Sequence, residues 1–326
     1  MVTLARDRSL KQNNPNTLTK KRILILGSSG FLGSALRKQL LGDYDLICPV
    51  REELDLFDYK KLRNFIEREK PEIVLNSAGM VAGIQGNIDK PTDLLMSNAQ
   101  ISLNAIRAAH ELAIPRYLQF ASACVYPLNA DSVSQPSDIG AGRIEPTSQS
   151  YATAKILAIE AVSAFRRQFG YSWSTIIPSN LYGEGDWNHN ADGHVVSMLC
   201  KRFISSSRNG EKSISIWGDG KSQRSFLHVE DLAKAVILMI REDFFAESIV
   251  NVCSKNEISI YDLAHEIGQI SQFKGEIVFD LSKPNGARRK TLDDTKIRNL
   301  GWREETTFRD GLYGYINAMK ASEFLS

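Results

Sequence analysis

The feature that most constrains the fold is a regular alternation of apolar runs and amphipathic helical patterns along the first half of the chain. It starts with the apolar run Lys21–Leu26, which a glycine-rich turn over 27–33 separates from a helical pattern at Phe31–Leu41. A short apolar run bounded by turn residues is typical of a buried parallel strand. Repeated alternation therefore predicts an α/β fold, a Rossmann-type doubly wound parallel sheet with helices on both faces.

The alternation continues to Pro178 and then becomes irregular. We predict strands at Asp45–Val50, Glu72–Ser77, Tyr117–Ala121 and Ser174–Pro178, and helices at Asp58–Glu69, Pro91–Leu112 and Gln149–Phe169. Residues 180–192 are rich in Gly, Asn and Asp, which predicts a loop. Shorter strand and helix patterns follow it, and they predict a smaller mixed α/β region.

These patterns divide the chain into three parts. The polar residues 1–19 predict a flexible tail, residues 20–178 a dinucleotide-binding Rossmann domain, and residues 179–326 a substrate domain. We expect the segment 223–253 to return to the Rossmann domain.

The charge and cysteine content of the chain bear on which partners and ligands it could bind. With 40 basic and 38 acidic residues, the net charge of +2 gives no electrostatic reason to expect nucleic acid or an anionic membrane as a partner. The N-terminus has no long apolar segment, so we expect no membrane anchor. The 4 cysteines form no CxxC pair, which predicts no metal site and favours the cytoplasm.

The glycine-rich turn predicts a site for a dinucleotide cofactor. Gly27 allows a tight turn, Gly30 lets the backbone approach a pyrophosphate, and Gly33 allows close packing of helix on strand. The amides at the start of the following helix can then bind the anion. We expect cofactor contacts from this whole segment, namely Gly27, Ser28, Ser29, Gly30, Phe31, Leu32 and Gly33.

The end of the second predicted strand bears on the choice between NAD and NADP. An NAD site usually has an acidic residue there, which binds the ribose hydroxyls. This chain has no acid before Glu52 and instead has Arg51, which could bind a 2′-phosphate or simply lie in solvent. We expect Asp55 and Leu56 to lie along the adenine.

Tyr151 and Lys155 stand four residues apart on a predicted helix and so share one face. A neighbouring ammonium favours the phenolate of a tyrosine, which would suit Tyr151 to proton transfer. Ser122, directly after a predicted strand, would lie at the carboxyl edge of the sheet, where its hydroxyl could bind a substrate oxygen. The order of glycine loop, serine and YxxxK helix resembles that of short-chain dehydrogenases/reductases.

Later motifs resemble one group of that superfamily, the GDP-L-fucose synthases, over nearly the whole chain from Lys20. The matching segments are Arg51–Asp58 (REELDLFD), Ser122–Pro127 (SACVYP), Glu145–Lys155 (EPTSQSYATAK), Pro178–Gly183 (PSNLYG), Gly193–Val196 (GHVV), Ile216–Gly220 (IWGDG), Arg224–Asp231 (RSFLHVED), Phe279–Asp293 (FDLSKPNGARRKTLD) and Leu300–Trp302 (LGW).

The resemblance implies a reaction in two stages. Members of the group use NADPH to convert GDP-4-keto-6-deoxy-D-mannose to GDP-L-fucose, epimerising C3 and C5 before reducing the C4 ketone. It further implies Cys124 as the base and His194 as the acid of the epimerisations, types of side chain suited to these roles. Tyr151, with Lys155 and Ser122, would manage the C4 oxygen.

The resemblance also implies further binding residues. For the cofactor we expect Ala78, Phe120, Lys155, Pro178, Asn180, Leu181 and His194. For the GDP-sugar we expect Arg202, Trp217, Arg224, Asn285 and Lys290. The group forms homodimers through two long helices, which here would be Pro91–Leu112 and Gln149–Phe169.

This chain departs from the group at a few positions. Ser29 and Pro49 replace arginines that commonly bind the 2′-phosphate, so we expect NADP(H) but leave NAD(H) open. Asn285 replaces an aspartate, and Ala123 a serine. These changes are compatible with a related sugar, such as a GDP-6-deoxy-heptose. The alternatives are a 4-reductase or 4-epimerase of another nucleotide sugar, or a non-catalytic dinucleotide-binding protein.

Overall fold

The computed structural model describes residues 20–128, 133–186, 194–283 and 289–322. Its centre is a parallel sheet of six strands in the order β2-β1-β3-β4-β5-β9. These strands are β1 (Arg22–Leu26), β2 (Asp45–Ile47), β3 (Ile73–Asn76), β4 (Arg116–Phe120), β5 (Ser172–Pro178) and β9 (Ile249–Val252). The predicted doubly wound α/β fold is therefore confirmed.

Helices cover both faces of this sheet. They are α1 (Phe31–Leu40), α2 (Tyr59–Glu69), α4 (Pro91–Glu111), α5 (Gln149–Phe169) and α7 (Val229–Arg241), and the short helix α3 (Ile84–Asp89) packs on α4. Because side chains alternate along a strand, Ile23 and Ile25 of β1 pack in the core beneath α1 and α7, whereas Leu24 and Leu26 pack beneath α2 and α4. Both faces of the sheet are buried, which explains the continuous apolar runs in the sequence.

Most of the remaining elements form a smaller region. These are β6 (Asn180–Tyr182), α6 (Val195–Asn209), β7 (Ser213–Trp217), β8 (Gln223–His228), β10 (Glu257–Ser259), α8 (Ile260–Ser271), β11 (Glu276–Asp280) and α10 (Phe308–Ala321), whereas α9 (Thr295–Asn299) packs on β9 in the core of the central sheet. A three-stranded sheet has the order β10-β8-β6, and β7 pairs with β11 in parallel. Helices α6, α8 and α10 enclose the core of this region.

The structure corrects two sequence predictions. Residues 180–192 were expected to form a loop, but Asn180–Tyr182 pairs with β8 as strand β6, because Leu181 and Tyr182 are apolar and pack in the interior. The second strand was expected to reach Val50, yet it ends at Ile47, two residues before Pro49. Proline has no amide N–H to donate to a sheet, which favours an early end.

The segment 223–253 divides between the two regions. Strand β9 pairs with β5 in the central sheet and α7 packs on α1, while β8 lies in the three-stranded sheet. The tail predicted for residues 1–19 lies outside the described residues. Within the described ranges, no helix is long and apolar enough to span a membrane.

Candidate active site

The glycine turn connects β1 to α1 at the carboxyl edge of the central sheet. Gly27 has a φ of 79°, and a Cβ there would lie 2.7 Å from the Cα of Ala78. A Cβ on Gly33 would lie 2.0 Å from the carbonyl oxygen of Gly27. These contacts leave no room for a side chain at either position, so the two glycines let the turn pack tightly against α1 and against the loop after β3, as a pyrophosphate-binding turn requires.

The other residues of this turn leave the start of α1 open to an anion. The hydroxyl of Ser28 is buried and donates to the carbonyl of Pro49 at 3.0 Å, so this side chain supports the turn from below. Ser29 is exposed, and Phe31 and Leu32 begin the helix. The first turn of α1 contains no acidic residue, which suits the binding of a phosphate.

The segment after β2 flanks the same edge. Arg51 is exposed and has no hydrogen-bond or ion-pair partner among the described residues. The carboxylate of Asp55 accepts a hydrogen bond from the amide of Phe57 at 3.0 Å, and the carbonyl of Leu56 accepts one from Asn104 at 2.9 Å. The guanidinium of Arg51 is thus available to a ligand, while Asp55 and Leu56 stand in an ordered loop.

Tyr151 and Lys155 lie on one face of α5, as predicted. The Nζ atom of Lys155 is 5.6 Å from the ring centre of Tyr151 and donates a hydrogen bond of 3.2 Å to the carbonyl of Phe120. Ser122 follows β4, and its hydroxyl accepts a hydrogen bond of 3.4 Å from the amide of Cys124. Helix α5 and the end of β4 therefore bring these four predicted residues together.

The protonation of Tyr151 differs from our expectation. Lys155 was expected to favour the phenolate, but burial and the nearby Cys124 raise the pKa of Tyr151, and the hydrogen bond with Ser122 only partly opposes them. Burial also lowers the pKa of Lys155 to about 8. Tyr151 therefore holds its proton at neutral pH, which suits donation to a substrate oxygen.

Cys124 lies on the short 3-10 turn Ala123–Val125 and is half-buried. Burial raises the pKa of its thiol, whereas the Ser122 hydroxyl and the charges of Lys290 and Lys155 lower it. The two lysines are thus the groups that favour a thiolate here.

A nearly buried group of charges lies beside Cys124. The carboxylate of Glu145 pairs with Lys290, with 3.2 Å between Oε2 and Nζ. Burial lowers the pKa of Arg224, and the charge of Glu145 opposes this shift. Glu145 was not predicted from the sequence, and no motif pointed to it except its place at the start of the YxxxK segment.

His194 stands at the N-terminus of α6, and its Nδ1 lies 3.0 Å from Oδ1 of Asp186. Burial by itself would lower the pKa of His194, but the hydrogen bond and charge of Asp186 together raise it. Asp186 was not predicted from the sequence, because its eight-residue separation from His194 matches no local motif.

Asn98 of α4 is another residue of the site that was not predicted from the sequence. Its side chain is buried, accepts a hydrogen bond from the amide of Met80 at 3.1 Å and donates one to the carbonyl of Met80 at 2.9 Å. A Cβ on Gly79 would lie 2.6 Å from Asn98 Oδ1 and 3.3 Å from Lys155 Nζ. Asn98 therefore fixes the loop that follows β3 directly beside Lys155.

The other predicted residues divide into two sets. The first set lies along the carboxyl edge of the sheet, at the ends of β3, β4 and β5 and in β6. It consists of Ala78, Phe120, Pro178, Asn180 and Leu181. Arg202 donates to the carbonyl of Ser215 at 2.7 Å, and Lys283 lies over the half-exposed ring of Trp217 at 5.3 Å. The contacts of Arg202 and Trp217 in the described parts of the chain lie within the smaller region. Asn285 is outside the described residues.

Across the described ranges, no group of three or more His, Cys, Asp or Glu side chains could hold a metal ion.

The chain is similar in sequence to a known family of enzymes. The model of the NAD-dependent epimerase/dehydratase family matches residues 23–253. The GDP-L-fucose synthase of Escherichia coli K12 is 35% identical over 305 residues, which are 90% of this chain and 95% of that protein.

Solved structures agree with this comparison. A GDP-6-OMe-4-keto-L-xylo-heptose reductase from Campylobacter jejuni superposes with a TM-score of 0.85 at 26% identity, covering 92% of this chain and 98% of the other. A GDP-mannoheptose C4 reductase from Campylobacter jejuni, with NADP bound, has a TM-score of 0.82 at 27% identity and covers 94% of this chain and 100% of its own.

Proposed function

The chain belongs to the NAD-dependent epimerase/dehydratase family and, within it, to the GDP-L-fucose synthases, and from this membership we propose that it converts GDP-4-keto-6-deoxy-D-mannose to GDP-L-fucose with NADPH. It is a bifunctional enzyme that epimerises C3 and C5 and then reduces C4. The observation that carries the proposal is the grouping of Cys124, Tyr151, Ser122 and Lys155 at the carboxyl edge of the sheet.

The cofactor is NADP(H), and it supplies a hydride to C4 when bound. The tight glycine turn and the start of α1, whose first turn has no acidic residue, fit its pyrophosphate. Arg51 would bind the 2′-phosphate, and Lys155 would bind the nicotinamide ribose. Arg51 is exposed and has no partner among the described residues, and the ammonium of Lys155 keeps donors beyond the hydrogen bond that it gives to the carbonyl of Phe120.

The epimerisations would depend on the acidity of the hydrogens beside the C4 ketone. The thiolate of Cys124 removes the proton from C3 or C5, and the electron pair moves onto the C4 oxygen as an enolate. The hydroxyls of Tyr151 and Ser122 donate hydrogen bonds to that oxygen. The imidazolium of His194 then protonates the carbon from the opposite face, which inverts it.

The reduction would use the same oxygen. As the hydride reaches C4, the carbonyl oxygen becomes an alkoxide, and Tyr151 protonates it. The raised pKa of Tyr151 keeps the proton available for this step. The guanosine and the diphosphate of the substrate would be bound by Lys290, Arg224, Arg202 and Trp217.

Product analysis would test this proposal. Purified protein is incubated with GDP-4-keto-6-deoxy-mannose and NADPH, and the stereochemistry of the product is determined by NMR. Inversion at C3 and C5 together with reduction at C4 supports the proposal. Reduction without inversion would instead establish a simple 4-reductase. Incubation in D2O without cofactor checks the epimerisation separately through deuterium at C3 and C5.

A related heptose is the second candidate substrate. The observation that favours it is the similarity to GDP-heptose reductases, with TM-scores of 0.85 and 0.82. A competition assay between the hexose and a GDP-4-keto-heptose decides between the two by their kcat/KM values.

The assembly would be a homodimer through α4 and α5. These helices pack side by side and carry exposed apolar residues on their outer faces, including Met96, Leu103 and Leu157. Light scattering of the wild type and of a Leu103→Glu, Leu157→Glu variant tests this. The four free cysteines favour the cytoplasm as the place of action.

A further inference from the structure

Asp186 and His194 form a pair at the edge of the active site. Asp186 follows β6 after a short turn, and its side chain is 1% exposed. Its Oδ1 is 3.0 Å from His194 Nδ1, while its Oδ2 has no hydrogen-bond partner among the described residues. A Cβ on the neighbouring Gly185 would lie 3.8 Å from the ring of Phe31, which begins α1. The pair therefore lies beside the cofactor turn.

We propose that Asp186 is a positioning residue for the epimerisations: it holds the proton of His194 on Nδ1, so that Nε2 exchanges protons with the sugar. This inference rests on the proposed function of the chain. Among the described residues, Nε2 of His194 has no hydrogen-bond partner, and the side chain is 35% exposed. One nitrogen thus faces a buried carboxylate, and the described residues leave the other available to a ligand.

The surroundings of Asp186 explain why it acts on His194 in particular. A buried carboxylate is costly unless a cation or several donors offset its charge. Among the described residues, the titratable groups whose charges interact with Asp186 are His194, Cys200 of α6 and Tyr315 of α10. Of these three, His194 is the group that can become a cation. Asp186 therefore favours the imidazolium, the form that an acid catalyst needs.

The proton transfers of an inversion show at which step Asp186 would affect His194. The Cys124 thiolate gains the proton of C3 or C5, and the His194 imidazolium loses its Nε2 proton to the opposite face of the enolate. The thiol must then release a proton to solvent, and the imidazole must regain one. Asp186 accelerates this return by favouring the protonated ring, and it keeps Nε2 directed away from itself throughout the cycle.

The first experiment measures the tautomer directly. Histidine-selective ¹⁵N labelling resolves the 5 imidazoles of the chain, and a His194→Gln variant assigns the signal of interest. We expect neutral His194 to carry its proton on Nδ1 in the wild type. In Asp186→Asn, we expect its pKa to fall, because the negative charge is lost. A wild-type proton on Nε2 would overturn the proposal, even if the variant fails to fold.

The second experiment measures inversion. In D2O without cofactor, Asp186→Asn is expected to slow inversion at C3 and C5 by about 10- to 100-fold. The part of its pH profile that requires protonated His194 should move to lower pH. With NADPH present, sugars reduced without inversion should accumulate, because Tyr151 and Lys155 are unaffected.

Asp231→Asn is the matched control. Asp231 is also a fully buried aspartate, but it accepts a hydrogen bond of 3.0 Å from the amide of Thr306 and pairs with Lys234 rather than with His194. This variant should lower the Tm and leave the inversion pH profile unchanged. A folded Asp186→Asn protein with wild-type inversion would contradict the proposal. If the wild type turns over no GDP-4-keto sugar, the proposed function fails, while the tautomer measurement still decides the role of Asp186.

Discussion

Glu145 and Lys290 form an ion pair that is almost closed to solvent: Oε2 lies 3.2 Å from Nζ, and the side chains are 17% and 13% exposed. Glu145 precedes α5, which carries Tyr151, whereas Lys290 comes from the C-terminal region. The pair thus joins the two regions of the chain next to Cys124, and its cation favours the thiolate.

Lys290→Met should therefore weaken the base. Loss of the charge raises the pKa of Cys124 further, so the rising limb of the epimerisation pH profile moves to higher pH. We expect iodoacetamide to alkylate Cys124 roughly 3- to 10-fold more slowly at pH 8 in this variant than in the wild type. Mass spectrometry of the peptide that contains Cys124 measures the rate. Lys290→Arg keeps the charge and is the control. Equal alkylation rates in the Met and Arg variants would show that the cation has no such role.

Lys155→Met should stabilise the fold and abolish reduction. Burial lowers the pKa of Lys155 from 10.5 to about 8, so below pH 8 the folded protein carries a buried ammonium that the unfolded chain keeps in water. This penalty is roughly 3 kcal/mol, and the lost hydrogen bond to Phe120 offsets about 1 kcal/mol of the gain.

The burial of Lys155 should make the free energy of unfolding depend on pH. Because the folded pKa lies below the unfolded one, the wild type gains stability as the pH rises from about 8 to 10.5. The advantage of Lys155→Met in urea unfolding should be about 2 kcal/mol at pH 7 and should shrink through that window. A constant difference between pH 7 and pH 10.5 would argue against a buried charged lysine.

Arg51→Ala should change the preference between cofactors. The exposed guanidinium has no partner in the described part of the chain, so its removal should cost little stability. If it binds the 2′-phosphate, the KM for NADPH rises about 10-fold while that for NADH stays the same. Arg68→Ala, at the far end of α2, is the control and should leave both constants unchanged.

Gly33→Ala should prevent cofactor binding and destabilise the chain. The new Cβ would lie 2.0 Å from the Gly27 carbonyl oxygen, so the turn must open. Gly314→Ala in α10 meets no atom within 4 Å and should instead raise the unfolding free energy by about 0.5–1 kcal/mol. NADPH fluorescence titration and thermal unfolding measure the two effects, and a normal affinity in Gly33→Ala would exclude the packing argument.

Local spacing explains which parts of the fold and the site could be predicted. The bounds of α5 are those that the apolar periodicity gives, and the four-residue step from Tyr151 to Lys155 fixes their common face. Ser122 and Cys124 follow directly from the end of β4. In each case the relevant neighbours lie within a few residues along one element.

The missed features depend on contacts between distant segments. Glu145 meets Lys290 from 145 residues away, and Asn98 meets Met80 across a loop. Strand β6 has three residues in a segment rich in turn-forming types, and it is a strand because β8 pairs with it. The pKa of Tyr151 rises because burial outweighs the neighbouring lysine, and burial depends on the whole fold.

Strand β9 completes the central sheet although it comes long after β5 in the sequence, and this limits where the chain can be divided into fragments. A fragment ending at Pro178 would contain five of the six parallel strands but would leave the backbone of β5 unpaired along Thr175–Pro178, where β9 belongs. It would also remove α7 from the apolar surface of α1. Such an open edge recruits strands from other molecules. The two fragments produced by a division after Pro178 should each aggregate when expressed alone. When they are co-expressed they should be soluble, because together they complete one cooperative unit.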